Sequence, residues 1–257
     1  MEHRDRDLKD VRGLPILRFV VLLSVALGGG ALLALGLFLW VGSWQLVAMG
    51  FDDPVILFWD SLLCVFFFLQ HSGMIRRGFR RRLTLIVPSH LDGAVFSIAS
   101  GAMLAVVLGL WQRSPVEILT LGSPWSWILR AGYFLAILGF GWGVRALHGF
   151  DGFGLRPIRD FNRGRIRRDP PLAVSGPYRW VRHPLYSCVL LMVWSCPDVT
   201  SDRLLFNLLW TVWIVVGTVF EERDLVADFG DDYMAYQAAV PMLIPWTLRP
   251  RWPVIPR

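Results

Sequence analysis

Six apolar runs, separated by short polar and basic stretches, organise this chain. The first covers residues 17–42, and no charged residue stands between Arg18 and Asp52. The second, 54–71, carries a single acid, Asp60, and the third, 94–112, carries no charge. The fourth, 125–145, has Arg130 near its start, where a long cationic side chain can snorkel to the interface. A spanning helix needs roughly 20 mostly apolar residues, so these runs predict four membrane spans. Two shorter runs follow, 184–196 and 204–220, separated by PDVTSDR. They read either as two further spans or as a hairpin dipping into the bilayer. In both readings Arg182 and Glu221 finish on the same side. The predicted fold class is an all-α integral membrane protein with about six membrane segments, four spans plus a C-terminal helical pair.

Composition agrees with that pattern. Of 257 residues, 54% are hydrophobic and only 18% are charged, below the roughly 25% usual in soluble domains. The net charge of +6 raises the question of nucleic acid. The basic residues sit between apolar runs, however, so membrane lipids are the better partner and nucleic acid is not expected. Apart from Arg113, Arg130 and Arg203, every Lys and Arg falls before the first run, after the second, between the fourth and fifth, or after the sixth. The positive-inside rule then places both termini, the 148–183 segment and the 221–257 tail in the cytosol. The flanking groups behind this are Arg4, Arg6, Lys9, Arg12 and Arg18; Arg76 to Arg82; Arg145 to Arg182, with Arg167 and Arg168 among them; and Arg223, Arg249, Arg251 and Arg257. Cys64, Cys188 and Cys196 lie in apolar runs without framework spacing, which argues against a disulfide scaffold or a zinc site. The first run is too long for a signal-peptide core and lacks a cleavage pattern. Without solenoid repeats or a low-complexity linker, the chain reads as one domain, 1–257, with a four-span half (1–147) and a motif-bearing half (148–257).

Two stretches carry candidate chemistry. In GPYRWVRHPLY (176–186), Pro184 suits the first turn of a helix and pushes His183 towards an extended conformation at its cap. His183 and Tyr186, three apart, share a helix face. The start of that helix, with Arg182 beside it, suits an anionic group such as a carboxylate. The plainer alternative is a headgroup-anchoring collar. In FEERDLVADFGDDYMAYQAAVPMLIP (220–245), the acids Glu221 and Glu222 end the last apolar run. Acids at a helix C-terminal end oppose its dipole unless the helix continues or a cation neutralises them. Phe229-Gly230 reads as a C-cap, Tyr233 and Tyr236 repeat at three, and Pro241 and Pro245 stop helical structure. The plain alternative here is an interfacial tail helix. Because the last two runs go down and up, Arg182-His183 and Glu221-Glu222 must emerge close together. That pairing suits a zwitterionic, ribose-bearing ligand.

The two stretches, in this order around a short helical pair, resemble the isoprenylcysteine carboxyl methyltransferase superfamily over residues 172–246. QHSGMIRRGF (70–79), Pro88, FDGFGLRPI (150–158) and the VPML ending are similar to its methanethiol S-methyltransferase branch. The chain departs from that branch after Pro88, where it reads Ser89-His90-Leu91-Asp92-Gly93, and after Arg156, where Pro157 follows. The resemblance implies S-adenosyl-L-methionine as cofactor at the cytosolic membrane surface. It implies that Tyr178, Arg182, His183 and Tyr186 contact the cofactor's amino-acid end, that Gly176 and Pro177 shape the loop, and that Glu221, Glu222, Tyr233 and Tyr236 close the other side. His183, Glu222 and Arg182 are the catalytic candidates, and no general base is assigned. GFGWG (139–143) lacks a preceding strand and reads as close helix packing, as does Gly28-Gly29-Gly30.

Asp60 and His71 are ionisable residues inside a predicted span, which makes them functional candidates. Gln70, His71 and Arg156 are the candidate substrate residues, each against a bland reading as an interfacial group. Asp60 sits three turns from His71, so the two need not meet. Three function classes stand: a methyltransferase on a small thiol such as methanethiol, the same chemistry on a lipophilic acceptor (a prenylcysteine carboxylate or phospholipid amine), and a non-enzymatic scaffold or transporter.

Overall fold

The computed structural model describes residues 15–147, 149–165, 172, 174–247 and 249–252. Arg4, Arg6, Lys9, Arg12, Arg167, Arg168 and Arg257, used in the charge reading, lie outside the described residues. The chain is an all-α integral membrane protein with five helices long and apolar enough to cross a bilayer. These are α1 (Pro15–Val41), α2 (Asp53–Ile75), α4 (Asp92–Leu110), α5 (Trp125–Ala146) and α8 (Ser201–Phe229). Shorter helices fill the connections: α3 (Arg77–Leu83), α6 (Leu155–Asn162), α7 (Pro184–Trp194) and α9 (Asp231–Ala239).

The four expected N-terminal spans match α1, α2, α4 and α5 to within a few residues. The fifth expected segment is α7, which has 11 residues and rises only about 16 Å, short of the roughly 30 Å hydrocarbon layer, and the sixth lies within α8. Helix α7 does not turn back part-way. Two short strands that the sequence reading did not anticipate, β1 (Glu117–Thr120) and β2 (Asp198–Thr200), pair antiparallel with Thr120 opposite Asp198. They fasten the α7–α8 connection to the α4–α5 connection, at the end of the bundle opposite the two motifs.

Small residues set how closely the helices pack. A Cβ on Gly101 would lie 2.5 Å from the Leu27 carbonyl oxygen, and one on Gly28 would overlap the Ser97 hydroxyl, so α1 and α4 cross nearly backbone to backbone. A π-turn at Val25–Gly29 marks that crossing in α1. On α5, Gly132, Gly139 and Gly143 form a stripe against Ser195, Cys188 and Leu185, which lets α7 lie tightly along it. Thus Gly139 and Gly143 of the GFGWG string serve packing, whereas Gly141 meets nothing within 4 Å.

The far end is held by polar groups that the sequence placed in loops or left as functional candidates. Asp60, fully buried, accepts the backbone N–H of Gln112 at 3.0 Å, so its visible role is to hold the start of the α4–α5 connection. Asp202 accepts from Trp111 Nε1 at 3.0 Å, the Ser114 N–H at 3.0 Å and the Thr200 hydroxyl at 2.6 Å. Arg203, expected in an outer loop, is buried in the first turn of α8. It donates to the carbonyls of Phe38, Leu39 and Val193. Those are last-turn carbonyls of α1 and α7; the Phe38 carbonyl also accepts the Gly42 N–H, while Leu39 and Val193 are among the carbonyls that a helix end leaves unpaired. The cation goes inward because two helix C-termini point at it.

Gly101→Ala is expected to lower the melting temperature of the detergent-purified protein by several degrees. Overpacking costs about 1–3 kcal/mol, and about 1 kcal/mol moves Tm by about 2–4 °C at this chain length. Gly28→Ala should cost less, because the Ser97 hydroxyl can rotate away. Gly30→Ala, with open space at its Cβ, should leave Tm unchanged or higher.

Candidate active site

Each motif folds as its own residue types dictate. Gly176 has φ +53° and sits where a Cβ would lie 2.8 Å from that of Ala146, so only glycine starts this 3₁₀ turn (Gly176–Arg179) without strain. The Ser175 hydroxyl ties the turn to the Ala146 carbonyl at 2.7 Å. Pro184 opens α7, and His183 before it has φ −124°. Gly230 (φ +56°) ends α8 and starts α9, the amphipathic turn that carries Tyr233 and Tyr236 inward.

Glu222 is the centre of the arrangement. Arg182 grips it with two parallel bonds, Nε to Oε1 at 2.5 Å and Nη2 to Oε2 at 2.9 Å. His183 Nε2 lies 3.1 Å from Oε1, and Gln237 Nε2 donates to Oε2 at 3.0 Å. The Arg182 and Glu222 side chains are only 9% and 11% exposed, so this is a buried, charge-assisted pair and not a surface contact. Helix α8 continues past the acid pair and ends at the Phe229-Gly230 cap that the sequence marked. The helix runs seven residues past Glu222, because cations and donors from α7 and α9 neutralise the pair in mid-helix. Tyr186 stacks on the His183 ring, centroids 5.6 Å apart and 8° from parallel, and its hydroxyl donates to Glu221 Oε2 at 2.7 Å.

The expectation of an open helix start with a free arginine is corrected here. The Arg182 and His183 backbone N–H groups donate to the carbonyls of Pro241 (2.8 Å) and Met242 (3.1 Å). Arg182 Nη1 donates to the carbonyls of Gln237, at 3.0 Å, and Val240. The Ser187 hydroxyl reaches the Leu243 carbonyl at 2.6 Å. The VPML segment therefore lies as an extended strap against the start of α7. It takes up donors that an external anion would otherwise use.

The tyrosines complete the wall. The Tyr236 hydroxyl donates to the Tyr178 carbonyl at 2.5 Å, and the Tyr233 and Tyr236 rings meet edge to face at 5.7 Å. The Tyr233 hydroxyl is buried without a hydrogen-bond partner among the described residues. Burial, reinforced by the charges of Glu221 and Glu222 respectively, pushes the Tyr178 and Tyr233 phenols well above their usual range. Burial beside Tyr233 does the same to Tyr236, so all three stay neutral.

Gly176, Pro177, Tyr178, Arg182, His183, Tyr186, Glu221, Glu222, Tyr233 and Tyr236 are thus brought to one place. Gln70, His71 and Arg156 are not part of that cluster. The His71 ring sits in an aromatic box of Phe67, Phe96 and Trp213, with centroids 5.0 to 5.3 Å away. Its Nδ1 and the neighbouring Gln70 Oε1 are buried polar atoms with no hydrogen-bond partner among the described residues. Trp213 precedes Glu222 by nine residues of α8, so this box lies roughly 13 Å deeper along the helix. Arg156 is exposed on α6, where, among the described residues, its guanidinium donates only to the Gly149 carbonyl at 3.5 Å. Sequence reasoning missed Gln237, which serves the node twice through its amide and its carbonyl. Nothing local in the sequence marked it for that role.

Because the pair is buried, removing either partner strands the other. Arg182→Ala and Glu222→Ala are each expected to cost about 3–5 kcal/mol. In a double-mutant cycle, the double variant should lose less than the sum by about 1–3 kcal/mol. Denaturant unfolding in detergent measures both quantities, and additive losses would show the pair to be energetically idle.

No family model matches the chain, and no solved structure matches it. Curated relatives do. It is 35% identical over 201 residues, 76% of each chain, to a protein named methanethiol S-methyltransferase from Pseudomonas sp. (strain GM41(2012)). It is 32% identical over 188 residues to the protein of that name from Mycobacterium tuberculosis, covering 71% of this chain and 75% of that one. Rat Nurim is 24% identical over 176 residues, 65% of this chain and 67% of its own. With this identity over three quarters of both chains, and with the motif residues gathered around one carboxylate, the chain belongs to the methanethiol S-methyltransferase family.

Proposed function

We propose that this chain transfers a methyl group from S-adenosylmethionine to a small thiol, methanethiol, giving dimethyl sulfide, at the cytosolic face of the membrane. The observation that carries the reading is the Glu222 node. It joins both C-terminal motifs in a chain whose relatives bear that enzyme's name. The residues fit a cationic, sulfonium-bearing group. Glu221 has one carboxylate oxygen beyond its bond to Tyr186, the Tyr233 hydroxyl is unpartnered, and the His183–Tyr186 stack offers a flat wall. When bound, the cofactor supplies a methyl group on positively charged sulfur, and that sulfur departs as a neutral thioether.

The chain's own contribution is alignment and dryness. Methyl transfer by in-line displacement needs the reacting atoms held about 3–3.5 Å apart and water excluded. Arg182 serves in this reading as the positioning residue that orients Glu222, since four of its five side-chain N–H donors are bonded inside the protein. The aromatic box around His71 has the lining for a small apolar thiol. His71 Nδ1, buried and unpartnered, stands where it can accept the thiol proton as the sulfur lone pair forms the new carbon–sulfur bond. A thiol that reaches the site already ionised needs no such step. The roughly 13 Å offset along α8 between box and node is the axial distance that the donor's methyl-bearing end and the thiol together would cover in this reading. Arg156, remote from both in its contacts, is assigned to lipid headgroups.

Membranes containing the protein, supplied with S-adenosylmethionine and methanethiol, are expected to release dimethyl sulfide measurable by headspace gas chromatography. Glu222→Ala should abolish it. No product above that variant would overturn the thiol reading and direct the search to a lipid acceptor. Tyr186→Phe frees Glu221 of its hydrogen bond and should weaken cofactor binding by about tenfold, the effect of about 1.4 kcal/mol. His71→Ala should leave cofactor affinity, measured by calorimetry, intact while lowering kcat/KM for the thiol. The opposite pattern would remove His71 from the acceptor side.

A further inference from the structure

At the end of the bundle away from the motifs, a groove of about 480 Å³ opens where α1 ends, α5 begins and the β1–β2 pair crosses. That volume lies within the roughly 300–1,000 Å³ typical of small-molecule sites. Its lining is charged in an ordered way. Arg113, Arg130 and Arg203 supply three cations, and Glu117 and Asp198, one on each strand, supply acids. Arg130 lies over the Trp40 ring, its guanidinium carbon 4.5 Å from the centroid. Neither Arg113 nor Arg130 takes part in an ion pair among the described residues. Arg203 is only 3% exposed, and its Nε–H has no acceptor among the described residues, although its other nitrogens donate to backbone carbonyls. A cation withdrawn from water in this way raises the local potential more than a solvated one, because the surrounding dielectric is low. Asp202, the remaining acid in the lining, is engaged by Trp111, Ser114 and Thr200.

The groove also has a definite relation to the bilayer. Below it, α1 and α5 are locked together by Trp40 against Tyr133 and Phe134 and by the Tyr133 hydroxyl on the Gly36 carbonyl. Leu37 and Phe134 remain 53% and 55% exposed on these helices, a surface suited to lipid chains. The shared chemistry of the groove is phosphate recognition, since a guanidinium fork matches phosphate oxygens. The apolar faces directly beneath favour a lipid headgroup over a free anion as the source. The two strand acids add a preference. A headgroup that carries an ammonium beside its phosphate satisfies both sides, whereas a purely anionic one would leave Glu117 and Asp198 opposed.

We propose that this groove seats one phospholipid with a zwitterionic, primary-ammonium headgroup. Its phosphate rests on Arg113 and Arg130 above the buried Arg203, its ammonium faces Glu117 and Asp198, and its chains lie along α1 and α5. The lipid adds to the β1–β2 pair and to the Tyr133 and Arg203 hydrogen bonds that already join these helix ends. It is a structural ligand, independent of the methyl-transfer site.

The test uses the full-length protein, stripped of lipid in detergent. Native mass spectrometry and thermal unfolding are recorded with dioleoyl phosphatidylethanolamine, dioleoyl phosphatidylglycerol, inorganic phosphate and chain-free phosphoethanolamine. The expected result is one retained phosphatidylethanolamine per chain and a raised Tm, weaker retention of phosphatidylglycerol, and no effect of the two chain-free compounds. Arg113→Gln with Arg130→Gln should reduce retention at least about tenfold, and Glu117→Gln with Asp198→Asn should abolish the preference for phosphatidylethanolamine. Should the arginine double variant fail to fold, Arg113→Lys with Arg130→Lys keeps the charges while removing the forks, and retention must still fall. Unchanged retention in the arginine variants overturns the site. Equal retention of the two lipids overturns the zwitterionic assignment, and stabilisation by inorganic phosphate alone shows a free-anion site instead.

Discussion

A carboxylate carried on a membrane-crossing helix is tolerable only when donors surround it, and Glu222 draws donors from two separate segments. Arg182 and His183 come from the turn before α7, and Gln237 comes from α9. Each segment must therefore meet α8 at one height, since an uncompensated charge there would cost several kcal/mol. The strap of residues 240–243 follows from the same demand. Its carbonyls take the remaining Arg182 and backbone donors, which would otherwise be buried without acceptors. The place where chemistry is proposed is consequently the place where the C-terminal half is tied together.

That knot depends on apolar packing further in. The glycine stripe of α5 lets the short α7 lie close enough to deliver His183 and Tyr186 to the side of α8. Without Gly143, Leu185 would be pushed outward, and Gly176 holds the preceding turn against Ala146 for a similar reason. At the far end a related solution appears with the charges reversed. Buried Arg203 donates two of its nitrogens to helix-terminal carbonyls, Asp202 accepts from backbone, indole and hydroxyl donors, and Asp60 accepts the Gln112 N–H through one oxygen. The bundle is thus largely apolar along its length and fastened by hydrogen-bonded polar groups at both ends.

Much of this was legible in the residues. Uninterrupted apolar length gave α1, α2, α4 and α5, because a bilayer imposes a minimum run on any span. Pro184 marked the start of α7, and the spacing of three placed His183 and Tyr186 on one face, where they stack. Gly230 marked the break between α8 and α9. Other features were hidden because they depend on contacts distant in sequence. Nothing local in Gln237 announces that it serves a residue fifteen positions earlier. Nothing in PDVTSDR announces a strand paired with residues about eighty positions away.

The sequence by itself determined which segments enter the membrane, where the helices start and stop, and that two polar motifs return to the same end. Those properties follow from local hydropathy and from the backbone limits of proline and glycine. Only the tertiary structure decided that the acid pair lies in mid-helix, that Arg182 grips Glu222 instead of standing free, and that His71 sits in an aromatic box well below the node. It also decided that Arg203 is buried. The reason in each case is the same. The state of a charged side chain depends on which donors and acceptors other segments bring within about 3 Å, and the separation of those segments along the chain carries no record of it.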